Sequence, residues 1–389
     1  MENQRERSQA LFTPHKMGDL ELPNRIVMAA LTRCRCDPSN GIPTDLHKDY
    51  YSARADSAFI LTECSAIRPD GNCFPGSTGI YSDEQVEGWK KVIDEVHAKG
   101  GRIYLQIWHS GRAAHPDHIG GQTPISSSAI AINGTVHTQS GRVTHVTPRA
   151  VTVEEIKELI KVFRQGAENA KKAGFDGVQL HGAHGYLVDQ FLRNGCNQRD
   201  DEYGGSIENR ARFCLEVLDE LIEVFGADRV GIKLSPVCDY NGLADSDPFA
   251  LIEYLFGEFN KKGIAFVEVN EATTLDPADA QEKIDKVWAN HEKKTIRENF
   301  RHLFKGTFIG NNQLDFDKAT NLIENNITDL CSFGTFYVYN NNLVDRFRTG
   351  APLNGVHNVK DLSKLQAVYL YGNTALGYSD LTPYSPDQE

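Results

Sequence analysis

Short runs of apolar and β-branched residues recur along this chain, and each is followed by a turn and then by a longer amphipathic or charged segment. The eight runs are Arg25–Met28, Ala58–Thr62, Arg102–Ile107, Phe175–His181, Arg229–Leu234, Ile264–Val269, Gly306–Ile309 and Thr328–Phe333. Helical patterns lie between them at Val86–Ala98, Val153–Ala173, Ile207–Val224, Pro248–Lys261 and Phe316–Glu324. This alternation predicts an α/β protein with eight βα units, which is a (β/α)8 barrel of the TIM type. A doubly wound open sheet is the alternative.

Polar groups follow most of these runs, and this favours the closed barrel over the open sheet. In a closed parallel ring the carboxyl ends of all strands meet at one mouth, so side chains that are distant in sequence can share one site. The Gly-, Ser- and Thr-rich segment Gly120–Arg149 interrupts the βα rhythm. We expect this segment to be an excursion over the barrel mouth within a single domain.

Composition narrows the class of ligand. The chain has 389 residues, 40% of them hydrophobic, and a net charge of −12. The negative charge argues against nucleic acid or an anionic membrane as a partner and favours a small molecule. The N-terminal segment is charged, and no segment approaches the roughly 20 apolar residues of a membrane-spanning helix, which predicts a cytoplasmic protein. The eight cysteines are scattered, and we expect them to be reduced thiols.

Two imidazoles and a phenol stand at the end of the fourth run. His181, His184 and Tyr186 follow an apolar stretch, and Gly182 and Gly185 let the backbone turn sharply there. Neutral imidazoles can bind a carbonyl oxygen, and a phenol with a pKa of about 10 keeps its proton at pH 7 and can deliver it. The alternative is a metal site, but the intervening glycines disfavour a helix and no third ligand is evident, so we predict no metal.

The remaining polar groups suit a flat heterocycle that carries alternating donors and acceptors. They are the backbone and hydroxyl groups at Ala30, Leu31 and Thr32, the amide of Gln106 and the cation of Lys233. The loops after the seventh and eighth strands are the usual phosphate site of this architecture. Flavin mononucleotide (FMN) fits this set of groups.

The chain resembles the old yellow enzyme family of FMN-dependent ene-reductases, and within it the 12-oxophytodienoate reductase-like group. The resemblance runs from about residue 11 to about residue 380, so it predicts a barrel domain at 11–380 between tails at 1–10 and 381–389. The segments that carry it are Leu11–Pro14, Leu22–Arg35, Leu105–Ala113 (LQIWHSGRA), Leu180–Leu192 (LHGAHGYLVDQFL) and Asn197–Phe213 (NQRDDEYGGSIENRARF).

The resemblance implies an NAD(P)H-dependent enzyme in which NADPH or NADH reduces the flavin and an α,β-unsaturated carbonyl then replaces the nicotinamide. His181 and His184 would bind the carbonyl oxygen, hydride from flavin N5 would reach the β-carbon, and Tyr186 would protonate the α-carbon. By the same resemblance, Thr32 and Gln106 would contact the flavin, and Phe74, Trp108 and Tyr371 would shape the substrate pocket. The expected partner is an enone or enal, and we expect a monomer or a homodimer.

The sequence departs from the family pattern where the flavin would bind. Lys233 replaces the usual arginine, Cys64 replaces a glycine, and Thr335 follows Gly334 where the family has an arginine. The usual Gly-Gly or Gly-Asn pair of the seventh loop aligns with Asn312 and its neighbour Gln313, or with a shifted Gly310-Asn311 pair. These changes predict weaker FMN binding. They also leave open a flavin-poor degenerate barrel that acts as a binding or scaffold protein, and a metal-dependent hydrolase or aldolase is a third option.

Overall fold

A computed structural model describes residues 8–138, 141–273, 280–354, 375 and 378–380. Tyr371 lies outside the described residues. Eight parallel strands close into a barrel. In chain order they are β1 (Ile26–Met28), β2 (Ile60–Ala66), β3 (Ile103–Trp108), β4 (Gly177–Gly182), β5 (Val230–Leu234), β6 (Phe266–Asn270), β7 (Thr307–Asn311) and β8 (Leu330–Phe333). The predicted (β/α)8 barrel is confirmed.

The second strand is longer than the sequence predicts. β2 continues to Ala66, whereas the apolar run ends at Thr62, and its register against β3 shifts between Leu61 and Cys64. Glu63 is a charged residue inside this strand, yet it is fully buried, and its backbone N–H donates to the Tyr51 hydroxyl at 2.9 Å. The irregularity places Cys64 opposite Gln106 of β3 at the mouth of the barrel.

Helices surround the barrel. They are α1 (Asp45–Ser52), α2 (Asp83–Ala98), α3 (Val153–Ala173), α4 (Leu187–Leu192), α5 (Ile207–Phe225), α6 (Pro248–Lys262), α7 (Ala280–Val287), α8 (Ile296–Phe300), α9 (Phe316–Glu324), α10 (Thr335–Tyr339) and α11 (Leu343–Thr349). The five predicted helices are all present, and the predicted start of α2 at Val86 is one turn late because Ser82 is its N-cap. The largest core cluster lies between the helices and the outer face of the strands.

The amino end of the barrel is apolar and closed. A short antiparallel hairpin, His15–Met17 with Leu20–Leu22, precedes β1. Its Met17 and Leu22 pack with Phe59, Tyr104 and Phe266 in one buried cluster. Because the barrel interior is filled by side chains at this end, it opens toward a site at the carboxyl ends of the strands.

The segment between β3 and α3 forms the predicted excursion. Ile125–Ser126 pairs with Arg149–Ala150, and Thr135–Thr138 forms a hairpin with Gly141–Thr144. Ile119 and Ile132 from this region pack in the same buried cluster as Trp108 and Tyr186, so the excursion covers one side of the mouth. Among the described residues, no helix is both long and apolar enough to cross a membrane.

The N-terminus of α3 provides a test of the local sequence reasoning. Thr152 Oγ1 accepts a hydrogen bond from the Glu155 N–H at 3.2 Å, and Glu155 Oε2 accepts one from the Thr152 N–H at 2.9 Å. This capping box satisfies two N–H groups of the chain at the start of the helix. We expect Thr152→Ala to lower the free energy of unfolding by about 1 kcal/mol, and Thr152→Ser to leave it nearly unchanged. Urea unfolding followed by circular dichroism measures the difference, and equal stability of Thr152→Ala and wild type would contradict the assignment.

Candidate active site

A cavity of about 360 Å³ opens at the carboxyl ends of the strands. Its walls come from the ends of β1, β5, β6, β7 and β8 and from the turn after β4. The lining includes most of the sequence-predicted cofactor residues, namely Ala30, Leu31, Lys233, Asn312, Gly334 and Thr335, together with His184. Residues from five strands and one turn thus form one wall, as the closed barrel requires.

A buried polar network lies below this cavity and is centred on Glu268 of β6. The side chain of Glu268 is fully buried, and its carboxylate lies 3.5 Å from Lys233 Nζ. It accepts hydrogen bonds from Ser332 Oγ at 2.7 Å, Gln179 Nε2 at 2.8 Å and Asn311 Nδ2 at 3.2 Å. Burial removes the water that hydrogen-bonds to an ionised carboxylate, and these donors take its place.

Lys233 presents its charge to the cavity. It is 5% exposed, lines the cavity wall and, among the described residues, forms an ion pair only with Glu268. An ammonium group has three N–H donors, so Lys233 keeps donors for a ligand while Glu268 balances its charge. The lysine that the sequence left without a partner therefore has one on the neighbouring strand.

The side-chain oxygen of Gln106 is a hydrogen-bond acceptor that is available to a ligand. Its Nε2 donates to Gln179 Oε1 at 2.7 Å, and its backbone N–H donates to Thr62 Oγ1 at 3.1 Å. Within the described part of the chain, no group donates to Gln106 Oε1, although the residue is only 3% exposed. The oxygen itself is accessible, so a ligand N–H can donate to it. The imide N–H of a flavin can donate to the Gln106 side-chain oxygen, and acceptor atoms on the edge of the ring can bind Lys233. The residues present therefore fit FMN.

The turn after β4 holds the two histidines and the tyrosine in a constrained backbone. His184 has a φ of 56° and Gly185 a φ of 74°, both in the left-handed region. A Cβ at position 185 would lie 2.6 Å from Asn241 Cβ, so glycine is required there on steric grounds as well. Asn241 Nδ2 donates to the His184 carbonyl at 2.9 Å, and the His184 N–H donates to Ser235 Oγ at 2.8 Å. These bonds fix a strained residue in place.

Both imidazoles are held in the neutral state. Burial, helped by the charge of Lys233, lowers the pKa of His184 to about 3. Burial also brings the pKa of His181 well below its ordinary value, and the neighbouring His184 and Lys233 add to this shift. The Ala183 N–H donates to His181 Nδ1 at 3.3 Å, so the proton of the neutral ring is on Nε2. His181 therefore has an N–H donor to offer to an oxygen.

Tyr186 lies against His181 and Trp108. The ring centroids are 5.0 Å and 5.2 Å apart, and both pairs are edge-to-face. Phe74 stacks on Trp108 at 6.0 Å, so the predicted substrate-pocket residues that the structure describes pack against each other; Trp108 is fully buried, and neither lines the cavity. Burial raises the pKa of Tyr186 well above its ordinary value. The phenol is consequently protonated at every pH at which the protein would be assayed.

Cys64 contacts Thr32 at the ends of β1 and β2. Thr32 Oγ1 lies 2.9 Å from Cys64 Sγ, and burial raises the pKa of Cys64 to about 12, which keeps it a thiol. Thr32, Cys64 and Gln106 lie beside the cavity rather than in its lining. All eight cysteines are free and buried, and within the described ranges no group of three or more His, Cys, Asp or Glu side chains could hold a metal ion.

The loop after β7 adopts a conformation that usually requires glycine. Asn312 has a φ of 98° and Gln313 a φ of 49°. These values favour the alignment of the family's glycine-containing pair with Asn312 and Gln313 over the shifted one, because Gly310 and Asn311 belong to β7 itself. Lys318 of α9 donates to the Gln313 carbonyl at 3.2 Å, so a cation lies near this loop.

Several site residues were missed by sequence reasoning. Glu268, Gln179 and Ser332 lie within the predicted apolar strands, and the sequence gives them no role in the site. Tyr240 was not singled out, although it is exposed near the mouth with its ring centroid 6.5 Å from that of His184. The available signal was a glutamate inside the apolar run Ile264–Val269, because buried carboxylates need partners.

Comparison with known proteins identifies the family. The family model described as "NADH:flavin oxidoreductase / NADH oxidase family" matches residues 10–354. The chain belongs to this family. One curated relative is 12-oxophytodienoate reductase 1 of Oryza sativa subsp. japonica, which is 40% identical over 88% of this chain and 87% of the relative. Another is a probable flavin mononucleotide-dependent alkene reductase of Leishmania infantum, which is 39% identical over 88% of this chain and 92% of the relative. The chain is therefore an FMN-dependent oxidoreductase.

Solved structures of family members have the same fold. Morphinone reductase in complex with tetrahydroNAD is 39% identical to this chain, covers 97% of it and 99% of its own length, and gives a TM-score of 0.86. An old yellow enzyme homologue from Zymomonas mobilis is 32% identical, with 96% and 99% coverage and a TM-score of 0.86. The resemblance to old yellow enzymes is thus confirmed, and the family supports a flavin with a nicotinamide reductant.

The neutral state of the two histidines can be tested directly. We expect the ring nitrogen signals of His181 and His184 to remain those of neutral imidazole between about pH 8 and pH 5, because burial lowers the pKa of His184 to about 3 and holds the pKa of His181 well below its ordinary value. Nuclear magnetic resonance of nitrogen-labelled histidine measures this, and His181→Ala and His184→Ala assign the signals. Charging of either ring near pH 6.5, the ordinary imidazole value, would contradict the account.

Proposed function

We propose that this protein is an NAD(P)H-dependent ene-reductase that reduces the C=C bond of α,β-unsaturated carbonyl compounds, such as enones and enals. The observation that carries the proposal is the arrangement of two neutral imidazoles and a protonated phenol beside a cavity that fits FMN. His184 lines this cavity, and the ring centroid of His181 lies 5.8 Å from that of His184 and 5.0 Å from that of Tyr186. The names of the relatives, which include alkene and 12-oxophytodienoate reductases, support the same chemistry.

The histidine pair binds the carbonyl oxygen of the substrate. The Nε2–H of His181 is an available donor, and the low pKa of His184 keeps a second neutral imidazole next to it. Donors directed at that oxygen make the β-carbon more electrophilic and stabilise the negative charge that collects on the oxygen when the double bond is reduced. Lys233 lines the same cavity and would hold the cofactor rather than the substrate.

Tyr186 supplies the proton to the α-carbon. Its pKa is raised by burial, so the phenol keeps its proton until a strongly basic carbon develops beside it. The edge-to-face contacts with Trp108 and His181 fix the ring. The proton is thereby held on the same side of the site as the oxygen-binding histidines.

Bound FMN supplies the hydride for the reduction after it has been reduced by NADPH or NADH. Gln106 and Lys233 would bind the ring, with Thr32, Cys64 and the backbone of Ala30 and Leu31 beside it. Asn312, Gly334 and Thr335 would bind the phosphate, since they are on the loops after β7 and β8.

The proton-donor role predicts a split between the two half-reactions. We expect Tyr186→Phe to slow enone reduction by about 10²- to 10⁴-fold, while anaerobic reduction of the flavin by NADPH keeps its wild-type rate. Stopped-flow absorbance of the flavin band follows both steps, with 2-cyclohexenone as the oxidant.

Tyr203→Phe is the matched control. Tyr203 is buried and does not line the cavity, and its hydroxyl donates a hydrogen bond of 2.9 Å to Glu216. We expect wild-type rates for this variant. A flavin that stays oxidised in the presence of NADPH and NADH would contradict the proposed function, and equal slowing of both half-reactions in Tyr186→Phe would contradict the role of Tyr186.

The phosphate loops generate a second prediction. Thr335 lines the cavity where the family has an arginine, and an arginine there would add a charge-assisted contact to the phosphate. We expect Thr335→Arg to tighten FMN binding about tenfold, with little change in the affinity for riboflavin, which has no phosphate. Thr335→Met controls for side-chain size. Fluorescence titration of the apoprotein measures these affinities, and equal gains for FMN and riboflavin would contradict the phosphate assignment.

A further inference from the structure

The hydrogen bonds of the buried network below the cavity all run in one direction, toward the charged carboxylate of Glu268. Its members form a chain from Glu268 through Gln179 to Gln106, with hydrogen bonds of 2.8 Å and 2.7 Å. The three side chains come from β6, β4 and β3 and are 0% to 3% exposed. Polar groups buried to this extent are satisfied mainly by their neighbours.

The carboxylate determines which way both amides face. An ionised carboxylate accepts hydrogen bonds and cannot donate them, so Gln179 must turn its NH₂ group toward Glu268. Gln179 then presents its carbonyl oxygen to Gln106, which must donate its own NH₂ group in turn. Gln106 is left with its carbonyl oxygen directed elsewhere, and among the described residues nothing donates to that atom.

The same carboxylate also faces the cation of the cavity wall. Lys233 and Glu268 are register partners on adjacent strands, and Nζ lies 3.5 Å from Oε1. The negative charge offsets part of the field that Lys233 exerts on a ligand in the cavity. Glu268 has no exposed surface and does not line the cavity, so it acts only through other side chains.

We propose that Glu268 is a positioning residue that fixes Gln106 as a hydrogen-bond acceptor, through Gln179, and limits the effect of the Lys233 charge on the flavin. This inference rests on the proposed function, because it concerns the cofactor of that site. It assigns to the site a ring whose imide N–H reaches Gln106 beside the cavity, and it makes the reduction potential of the bound flavin depend on a residue that does not touch it.

Two variants test the two roles of Glu268 separately, namely its charge and its control of the orientation of Gln106. Glu268→Gln removes the negative charge beside Lys233, which favours the reduced, anionic flavin over the oxidised form. We expect a shift of about tenfold in that preference, which is about +30 mV in the midpoint potential of a two-electron couple. Gln179→Met breaks the amide relay and keeps the charge. We expect it to weaken FMN binding about tenfold without moving the potential, because both redox states of the ring carry the imide N–H.

Glu271→Gln is the matched control. It makes the same chemical change three residues further along the chain at another buried glutamate, which pairs with Arg297 at 2.7 Å. We expect its midpoint potential and FMN affinity to equal those of wild type. Circular dichroism checks the fold of each variant, and Gln179→Met tests the relay even if Glu268→Gln fails to fold.

The measurements are the midpoint potential by equilibration with a reference dye and the FMN dissociation constant of the apoprotein. An unchanged potential in folded, flavin-loaded Glu268→Gln would overturn the charge role, and unchanged FMN affinity in Gln179→Met would overturn the relay. Either result leaves the ene-reductase proposal intact. Wild-type protein that binds no FMN would overturn both this inference and the proposed function.

Discussion

The charge of Glu268 must be satisfied inside the barrel without water, and much of the upper barrel interior is arranged to do this. Lys233, Gln179, Asn311 and Ser332, from four other strands, supply the donors. Loss of one member of such a buried pair typically costs about 3 to 5 kcal/mol because the other charge is left uncompensated. The interior therefore has two layers, an apolar layer at the amino end and a polar layer below the cavity. The first is filled by apolar side chains, and in our proposal the second determines what the cavity binds.

The side chains that we propose to be catalytic obey a different constraint. His181, His184 and Tyr186 are on a tight turn in which His184 adopts a left-handed backbone conformation and Gly185 has no room for a side chain. Burial then keeps all three groups neutral, the imidazoles by lowering their pKa values and the phenol by raising its pKa. A neutral donor pair and a protonated phenol suit a reaction in which negative charge appears on the substrate and is then removed by a proton.

The sequence was sufficient to predict the barrel and the sharp turn that holds His181, His184 and Tyr186, because both depend on local patterns. The eight apolar runs have the length and spacing of buried parallel strands, and the two histidines stand directly after one of them. The partner of Lys233 could not be predicted in this way, since Glu268 is on another strand and the two meet only through the barrel register. The hairpin that closes the amino end has strands of three residues, too short for a periodic signal. The end of β2 was predicted too early because Glu63 is charged, and only the buried contacts around it explain why the strand continues.

The account depends on an FMN ring bound across the barrel mouth, next to the two histidines. The most direct measurement is a titration of freshly purified, flavin-depleted protein with FMN, followed by visible absorbance. We expect one FMN to bind per chain, with a perturbed flavin spectrum that changes again when an enone is added. A protein that stays colourless after exposure to FMN and removal of the excess would contradict it.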